Sequence, residues 1–143
     1  MYNAIMTYGK LRREGYKPRV LDAKLEDLLM RFGAVEVQGP KYCGKTWTSL
    51  AFGESLTRLS DFDTRNVVTS DPKLALVGKR PVVVDEWQEV PRIWDCVRDR
   101  IDFVSNEPGQ FILTGSSTPS KEQVFHSGAG RIATLKMSTM TQF

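Results

Sequence analysis

The feature that most constrains this chain is the run GPKYCGKT at residues 39–46, in which two glycines, a lysine and a threonine stand at fixed spacing. Glycine permits turn conformations that aim consecutive backbone N–H groups at phosphate oxygens, and the N-terminus of a following helix adds positive charge. A short run rich in β-branched residues, AVEVQ at residues 34–38, precedes the motif, and a helical pattern follows it. The sequence therefore predicts a phosphate-binding loop between a strand and a helix.

The predicted loop supplies both side chains and backbone groups. Lys45 is expected to reach the β- and γ-phosphates of a nucleotide, and the Thr46 hydroxyl to coordinate Mg²⁺. Cys43 could be an oxidisable thiol, but packing under the loop is the simpler interpretation. The tryptophans of the chain could stack on adenine, but such residues are more often part of a core or an interface. The residues predicted to contact the nucleotide are Gly39, Pro40, Lys41, Tyr42, Cys43, Gly44, Lys45, Thr46 and Trp47.

A second motif, VVVDEWQEV at residues 82–90, joins an apolar strand to two adjacent carboxylates. Its apolar half is typical of a strand covered on both faces in a parallel sheet, and open α/β folds bind ligands at the carboxyl edge of such strands. Asp85 at that edge can hold Mg²⁺, and Glu86 can orient or deprotonate the water that attacks a γ-phosphate. Alternatively, the two carboxylates end the strand and cap the next segment. Gln88 and Glu89 either position water or belong to an exposed loop.

Polar residues also end the next predicted strand, QFILT at residues 110–114. Thr114 and Ser116 are expected beside the strand that carries Asp85, where a hydroxyl can sense the state of the phosphate, although both types are common in turns. Arg131, in the run HSGAGRI, either neutralises charge on the transferred phosphoryl group, in its own subunit or a neighbour's, or is a surface arginine at the start of a strand. The candidate catalytic residues are thus Lys45, Glu86, Thr114, Ser116 and Arg131, and the candidate metal ligands are Thr46 and Asp85.

The order of the predicted elements favours one fold class. A helix is predicted from Asp22, as its cap, to a stop at Gly33. The strand candidates are residues 34–38, 66–69, 81–85, 110–114 and 131–136, and further helices are predicted at residues 45–59, 71–77 and 91–104. Strands that alternate with helices indicate an α/β fold with a parallel sheet. With the phosphate-binding loop, the prediction is a P-loop NTPase of the additional-strand, catalytic-glutamate type, with strand order 5-1-4-3-2 and nucleotide across the carboxyl ends of the strands.

Composition sets the wider limits. The 143 residues, 41% hydrophobic and 26% charged, suit a single folded domain. No apolar run approaches the roughly 20 residues of a membrane span, and the N-terminus does not resemble a signal peptide, so we expect a cytoplasmic protein with no membrane partner. Residues 1–20 are predicted to form a basic arm. The net charge of +3 is too weak to predict nucleic-acid binding, so a solvated arm is the ordinary interpretation and nucleic-acid binding the alternative.

Five stretches together resemble a known family: YKPRVLD, FGAVEVQGPKYCGKT, PVVVDEWQEVPRIWD, GQFILTGSSTP and HSGAGRIATLKM. They are similar to a prokaryotic group of AAA-type ATPases that carry an uncharacterised second domain after the ATPase core. The resemblance implies an ATPase core over residues 21–143, with Lys45, Thr46, Asp85 and Glu86 in their usual roles. It also implies a phosphate sensor at residues 114–116 and an arginine contribution from Arg131.

Members of that group continue past the equivalent of LKMSTMTQF, so we expect this chain to be the ATPase core alone. A homo-oligomer or a protein partner would then act through the region beyond it. The function expected is Mg²⁺-dependent binding and hydrolysis of ATP. A guanine-reading N/T-K-x-D motif is not seen, and this absence and the resemblance both favour ATP. The alternatives are a nucleotide-gated interaction module with little or no turnover and a nucleic-acid-associated ATPase.

Overall fold

A computed structural model describes residues 9, 11, 20–39, 45–116 and 130–137. The α-helices in these ranges are α1 (Val20–Arg31), α2 (Lys45–Phe52), α3 (Phe62–Ser70) and α4 (Ile93–Phe103). The strands are β1 (Ala34–Gly39), β2 (Ser55–Arg58), β3 (Val82–Asp85), β4 (Phe111–Ser116) and β5 (Ile132–Lys136). Two short 3₁₀ helices follow α3 and β3, at Pro72–Leu76 and Trp87–Glu89.

The strands pair into one parallel sheet in the order β2-β3-β4-β1-β5. Read from the other end, this is the predicted order 5-1-4-3-2, so the predicted α/β architecture is confirmed. The order inserts β4 between β1, which leads into the phosphate-binding motif, and β3, which ends in Asp85. Because all the strands run the same way, their carboxyl ends meet at one edge of the sheet.

The sheet is covered on both faces. Alternate residues of β1 and β3 enter two separate hydrophobic clusters, as a period-two strand between two layers requires. One cluster contains side chains of α1 and α2, with Val35, Val37 and Val83 from the sheet. The other contains side chains of α4 and the two 3₁₀ helices, with Val82 and Val84 from the sheet. The near-continuous apolar character of β3 is therefore explained by burial on both sides.

The second strand lies elsewhere than predicted. Residues 66–69, NVVT, form the second half of α3, and the strand that pairs with β3 is Ser55–Arg58. The predicted helix over residues 45–59 consequently ends at Phe52. The Asp61 side chain caps α3 by accepting from the Thr64 backbone N–H, and this cap outweighs the β propensity of two valines. The other predicted strands agree with the structure to within two residues at each end.

The start of the described core also differs from prediction. Helix α1 begins at Val20, so Asp22 lies fully buried in its first turn and is not the cap. Two residues of the predicted basic arm contact the core, because the backbone N–H groups of Gly9 and Leu11 donate to the carbonyl oxygens of Ala51 and Gly53. The basic residues of the arm, Lys10, Arg12, Arg13, Lys17 and Arg19, lie outside the described residues. Within the described part of the chain, no helix is long and apolar enough to cross a membrane.

Candidate functional site

Three strands end side by side at the carboxyl edge of the sheet. Strand β1 ends at Gly39, which is in register with Ser116 at the end of β4, and β3 ends at Asp85 on the other side of β4. Helix α2 begins at Lys45, so residues 40–44 connect the carboxyl end of β1 to the N-terminus of a helix. This is the strand, loop and helix order that the phosphate-binding motif requires.

A buried threonine hydroxyl connects β4 to the carboxyl end of β3. The hydroxyl of Thr114 in β4 donates to Asp85 Oδ1 at 2.7 Å, and Thr114 Oγ1 accepts from the backbone N–H of Glu86 at 3.0 Å. Thr114 is fully buried, and Asp85 is 8% exposed. The hydroxyl therefore fixes the Asp85 carboxylate and the backbone of the next residue at once, and the prediction that Thr114 lies beside Asp85 agrees with this geometry.

The backbone of Glu86 adopts an unusual conformation. Its φ and ψ are 60° and 52°, in the left-handed region that non-glycine residues rarely adopt. Such a conformation costs about 1–2 kcal/mol and persists where surrounding contacts hold it. The contacts here are the hydrogen bond from Glu86 N–H to Thr114 and the 3₁₀ bond from the Glu89 backbone N–H to the Glu86 carbonyl. Gln88 Nε2 donates to Glu86 Oε2 at 2.5 Å, so of its two interpretations the structure agrees with a residue that orients the site.

The face on which Asp85 lies follows from strand alternation. Val83 contacts the cluster that contains α2, and Asp85, two residues later, projects from the same face of β3. The carboxylate therefore stands on the side of the sheet where α2 begins with Lys45 and Thr46. A carboxylate together with a threonine hydroxyl is the kind of oxygen donor set that Mg²⁺ prefers, so the residues present fit a magnesium ion.

Two residues near this edge were not predicted. Arg58 is in register with Asp85 at the end of β2, and it was overlooked because its segment reads as the end of a helix. Glu36 of β1 is buried and accepts a hydrogen bond from the indole of Trp87. The signal in the sequence was a lone glutamate inside an apolar strand, which is uncommon unless the carboxylate has partners.

Arg131 is not brought to this site. It immediately precedes β5, whose first residue is in register with Ala34 at the amino end of β1, roughly 15 Å from the carboxyl edge. Its guanidinium instead forms an ion pair with Asp102 of α4. The predicted role for Arg131 within its own subunit is therefore not supported, because the parallel sheet holds it at the opposite edge.

Residues 40–44 lie outside the described residues, as do the side chains of Lys45, Thr46, Trp47 and Ser116. Trp87 and Trp94 are core residues, as the plainer interpretation predicts, with ring centroids 5.2 Å apart. Both tryptophans therefore belong to the sheet face opposite α2.

Comparison with known proteins gives three findings. A family model described as AAA domain matches residues 31–143. Two uncharacterised proteins, from Mycobacterium bovis and Mycobacterium tuberculosis, are each 32% identical to this chain over 125 residues, which is 83% of the chain but 28% of their own length. A solved structure of C. elegans PCH-2 matches 82% of this chain and 37% of its own chain, with 14% identity and a TM-score of 0.42.

The family match confirms the resemblance to an AAA-type ATPase core and covers four of the five motif stretches, since YKPRVLD lies before residue 31. It covers the phosphate-binding motif, both carboxylates of the second motif and β4, which together form the carboxyl edge described above. The chain spans 28% of the length of the mycobacterial relatives. It belongs to the AAA domain family.

Proposed function

We propose that this chain binds ATP with Mg²⁺ at the carboxyl edge of its sheet and hydrolyses the bond between the β- and γ-phosphates. The observation that carries the proposal is the Thr114 hydroxyl, which bonds both the Asp85 carboxylate and the Glu86 backbone. The hydroxyl thereby ties two adjacent carboxylate residues at the end of β3 to β4, the strand that lies between β3 and the strand that leads into the phosphate-binding motif. Membership of the AAA domain family supports nucleotide binding independently.

The two carboxylates differ in their surroundings, and this difference assigns their roles. Asp85 is nearly buried and held by a hydroxyl donor, which suits a fixed ligand, and Thr46 at the start of α2 would complete the metal site. Bound Mg²⁺ would neutralise charge on the phosphates. Glu86 is half-buried and its carboxylate accepts a hydrogen bond from Gln88, so we assign it the role of the base that takes a proton from water.

The remaining groups act on the phosphates. Lys45 and the backbone N–H groups of residues 40–44 would bind the β- and γ-phosphates, since they follow β1 and begin α2. Water oriented by Glu86 attacks the γ-phosphorus in line, its proton moves to the Glu86 carboxylate, and the bond from the γ-phosphorus to the β–γ bridging oxygen breaks, so that ADP leaves. Lys45 and the loop N–H groups stabilise the negative charge that remains on the phosphate oxygens.

Phosphate release with Mg·ATP tests this proposal through Glu86→Gln and the matched variant Glu89→Gln. Glu89 belongs to the same turn, but it is exposed and lies 3.9 Å from Arg65. We expect Glu86→Gln to lower the rate by about 10²–10⁴-fold with ATP binding retained, because it removes the base. Glu89→Gln is expected to keep the wild-type rate.

The hydrolase proposal fails if Glu86→Gln and the wild type release phosphate equally. A wild type that binds ATP tightly and releases none would instead support the nucleotide-gated module. The hydrogen bond from Gln88 to the Glu86 carboxylate favours the nucleotide-gated module, because it occupies a carboxylate oxygen that water would otherwise contact. Lys45→Ala should abolish binding in both cases, since both need the phosphates to be held.

We propose that the protein works in the cytoplasm, either as an oligomer or with a protein partner through the region beyond the ATPase core. Membership of the AAA domain family supports association in general. Light scattering with and without Mg·ATP tests whether this chain forms an oligomer. A mass that stays monomeric at every nucleotide concentration would contradict an oligomer of this chain.

A further inference from the structure

Glu36 is a buried carboxylate in the middle of β1. It is 5% exposed, and its neighbours along the strand, Val35 and Val37, are fully buried. Burial of a carboxylate among apolar side chains is unfavourable by several kcal/mol unless hydrogen bonds compensate it. An aliphatic residue would satisfy the packing needs of this position, so packing alone does not explain the glutamate.

Three donors from three parts of the fold satisfy the Glu36 carboxylate. Oε2 accepts from the Trp87 indole Nε1 at 3.2 Å and from Gln38 Nε2 at 3.1 Å. Oε1 accepts from the Thr134 hydroxyl of β5 at 3.2 Å. The carboxylate thereby links β1 and β5 to the 3₁₀ turn that follows Asp85.

Trp87 is the residue directly after Glu86, so its position determines where the Glu86 backbone leaves β3. The indole is buried against Trp94 and lies over Gly115 of β4. A Cβ at Gly115 would stand 2.9 Å from Trp87 Nε1 and 2.8 Å from Gln88 Oε1, so glycine permits the close approach of the turn to β4. The turn is therefore fixed by Thr114 at its start and by Glu36 beneath its tryptophan.

We infer that Glu36 is a positioning residue for hydrolysis: it anchors the Trp87 indole and thereby holds the strained Glu86 backbone and carboxylate at the phosphate edge. The inference rests on the proposed function of Glu86. Through Glu36, the strand that leads into the phosphate-binding motif directly contacts the turn that carries the proposed base.

The chain offers variants that separate the hydrogen bond from the packing. Trp87→Phe removes the indole donor and keeps an aromatic ring, whereas Trp94→Phe makes the same change in the neighbouring ring, which has no hydrogen bond to Glu36 in the residues that the structure describes. Glu36→Gln keeps all three bonds, because its oxygen can replace Oε2 and its amide can donate to the Thr134 hydroxyl. Glu36→Leu removes the anchor altogether.

Steady-state phosphate release should divide these variants. We expect Trp87→Phe and Glu36→Leu to lower kcat by about tenfold to a hundredfold, the loss typical of a misplaced catalytic group, with KM for ATP within about twofold. Trp94→Phe is expected to keep the wild-type kcat, and Glu36→Gln to restore most of the rate lost in Glu36→Leu. A Trp87→Phe kcat equal to that of Trp94→Phe, while Glu86→Gln is inactive, overturns the inference and leaves the proposed function standing.

Amide hydrogen exchange tests the anchor even if the chain hydrolyses nothing. The backbone N–H groups of Glu86, Glu89 and Val90 are hydrogen-bonded in the turn, so loss of the anchor should speed their exchange in Trp87→Phe and Glu36→Leu. Exchange in Trp94→Phe and Glu36→Gln should match the wild type. Unchanged exchange across residues 86–90 in Trp87→Phe would overturn the inference whatever the rates, and far-ultraviolet circular dichroism would identify a variant that fails to fold.

Discussion

The centre and one margin of the sheet are built in different ways. In the centre, β1, β3 and β4 are covered on both faces, and every residue of β3 is buried. At the margin, β2 alternates half-buried and exposed residues, and α3 buries only Val68 among its nine residues. The candidate site lies at the carboxyl ends of the central strands and in the segments that follow them, with Arg58 of β2 at its border.

The difference shows which part of the fold can hold a catalytic geometry. Central side chains are fixed by contacts from two layers and two neighbouring strands, so a hydroxyl such as that of Thr114 keeps both of its partners. The margin is held largely by local interactions, such as the Asp61 cap and the Arg65 guanidinium over the Phe62 ring. We therefore expect substitutions in the centre to alter stability and activity together, and those at the margin to alter stability slightly.

The largest expected contrast is in stability. Leu113→Ala, at a fully buried position of β4, should lower the free energy of unfolding by about 2–5 kcal/mol, because it leaves a cavity between two layers. The same change at Leu56 of β2, which is 41% exposed, should cost about 0.5 kcal/mol or less. Denaturant unfolding measures both, and similar losses for the two variants would remove the distinction between centre and margin.

A second contrast concerns two threonine hydroxyls. Thr114→Val removes the donor to Asp85 and the acceptor for the Glu86 N–H, so we expect phosphate release to fall about tenfold to a hundredfold and stability by about 1–3 kcal/mol. Thr57→Val removes a hydroxyl that donates to the Ala75 carbonyl at 2.9 Å, away from the site. Its phosphate release should equal that of the wild type. Equal losses of rate in both variants would show that the effect is a general one on the fold.

The smallest effect concerns the cap of α3 and its dependence on pH. The Thr64 backbone N–H donates to the Asp61 carboxylate and, with the Thr64 hydroxyl, lowers the pKa of Asp61 below its usual value of 3.8. A lowered pKa in the folded state means that the contribution is complete above pH 3.8 and is lost as the pH falls through the lower value. We expect Asp61→Ala to have a lower Tm than the wild type at pH 7, and the difference to shrink below pH 3.8.

Asp61→Asn is the control for that measurement, because asparagine caps a helix as well as aspartate but does not ionise. Its Tm should stay close to the wild-type value at pH 7 and show no matching change below pH 3.8. A Tm for Asp61→Ala equal to that of the wild type at pH 7 would show that α3 does not depend on its cap.

The same contrast explains which elements could be predicted. The run VVVD at residues 82–85 is short, apolar and bounded by polar residues, so its local pattern and its tertiary environment agree, and it was assigned correctly. The runs SLTR and NVVT carry weak patterns at a half-exposed margin. The β propensity of NVVT favours a strand there, but the Asp61 side chain caps a helix over that run. The strand that pairs with β3 is formed by SLTR instead.

The site residues that the sequence predicts are those whose chemical type and position at the end of an apolar strand indicate a role. Asp85, Glu86 and Thr114 follow apolar runs, and the rule that parallel strands end at one edge brings them together. The sequence leaves Arg131 open between a role at the phosphates and a place at the surface, because its distance from the carboxyl edge depends on where β5 begins. A lone glutamate in an apolar strand indicates only that the carboxylate needs partners, and the identity of those partners depends on residues distant in the chain.

By itself, the sequence determined the phosphate-binding motif, the carboxylate pair after an apolar strand, the parallel α/β class and the strand order, because each depends on local spacing or on general rules of chain connection. The tertiary structure alone decided the identity of the second strand, the burial and partners of Glu36, and the separation of Arg131 from the site. These depend on contacts between residues up to 98 positions apart, and such contacts form only when the layers pack.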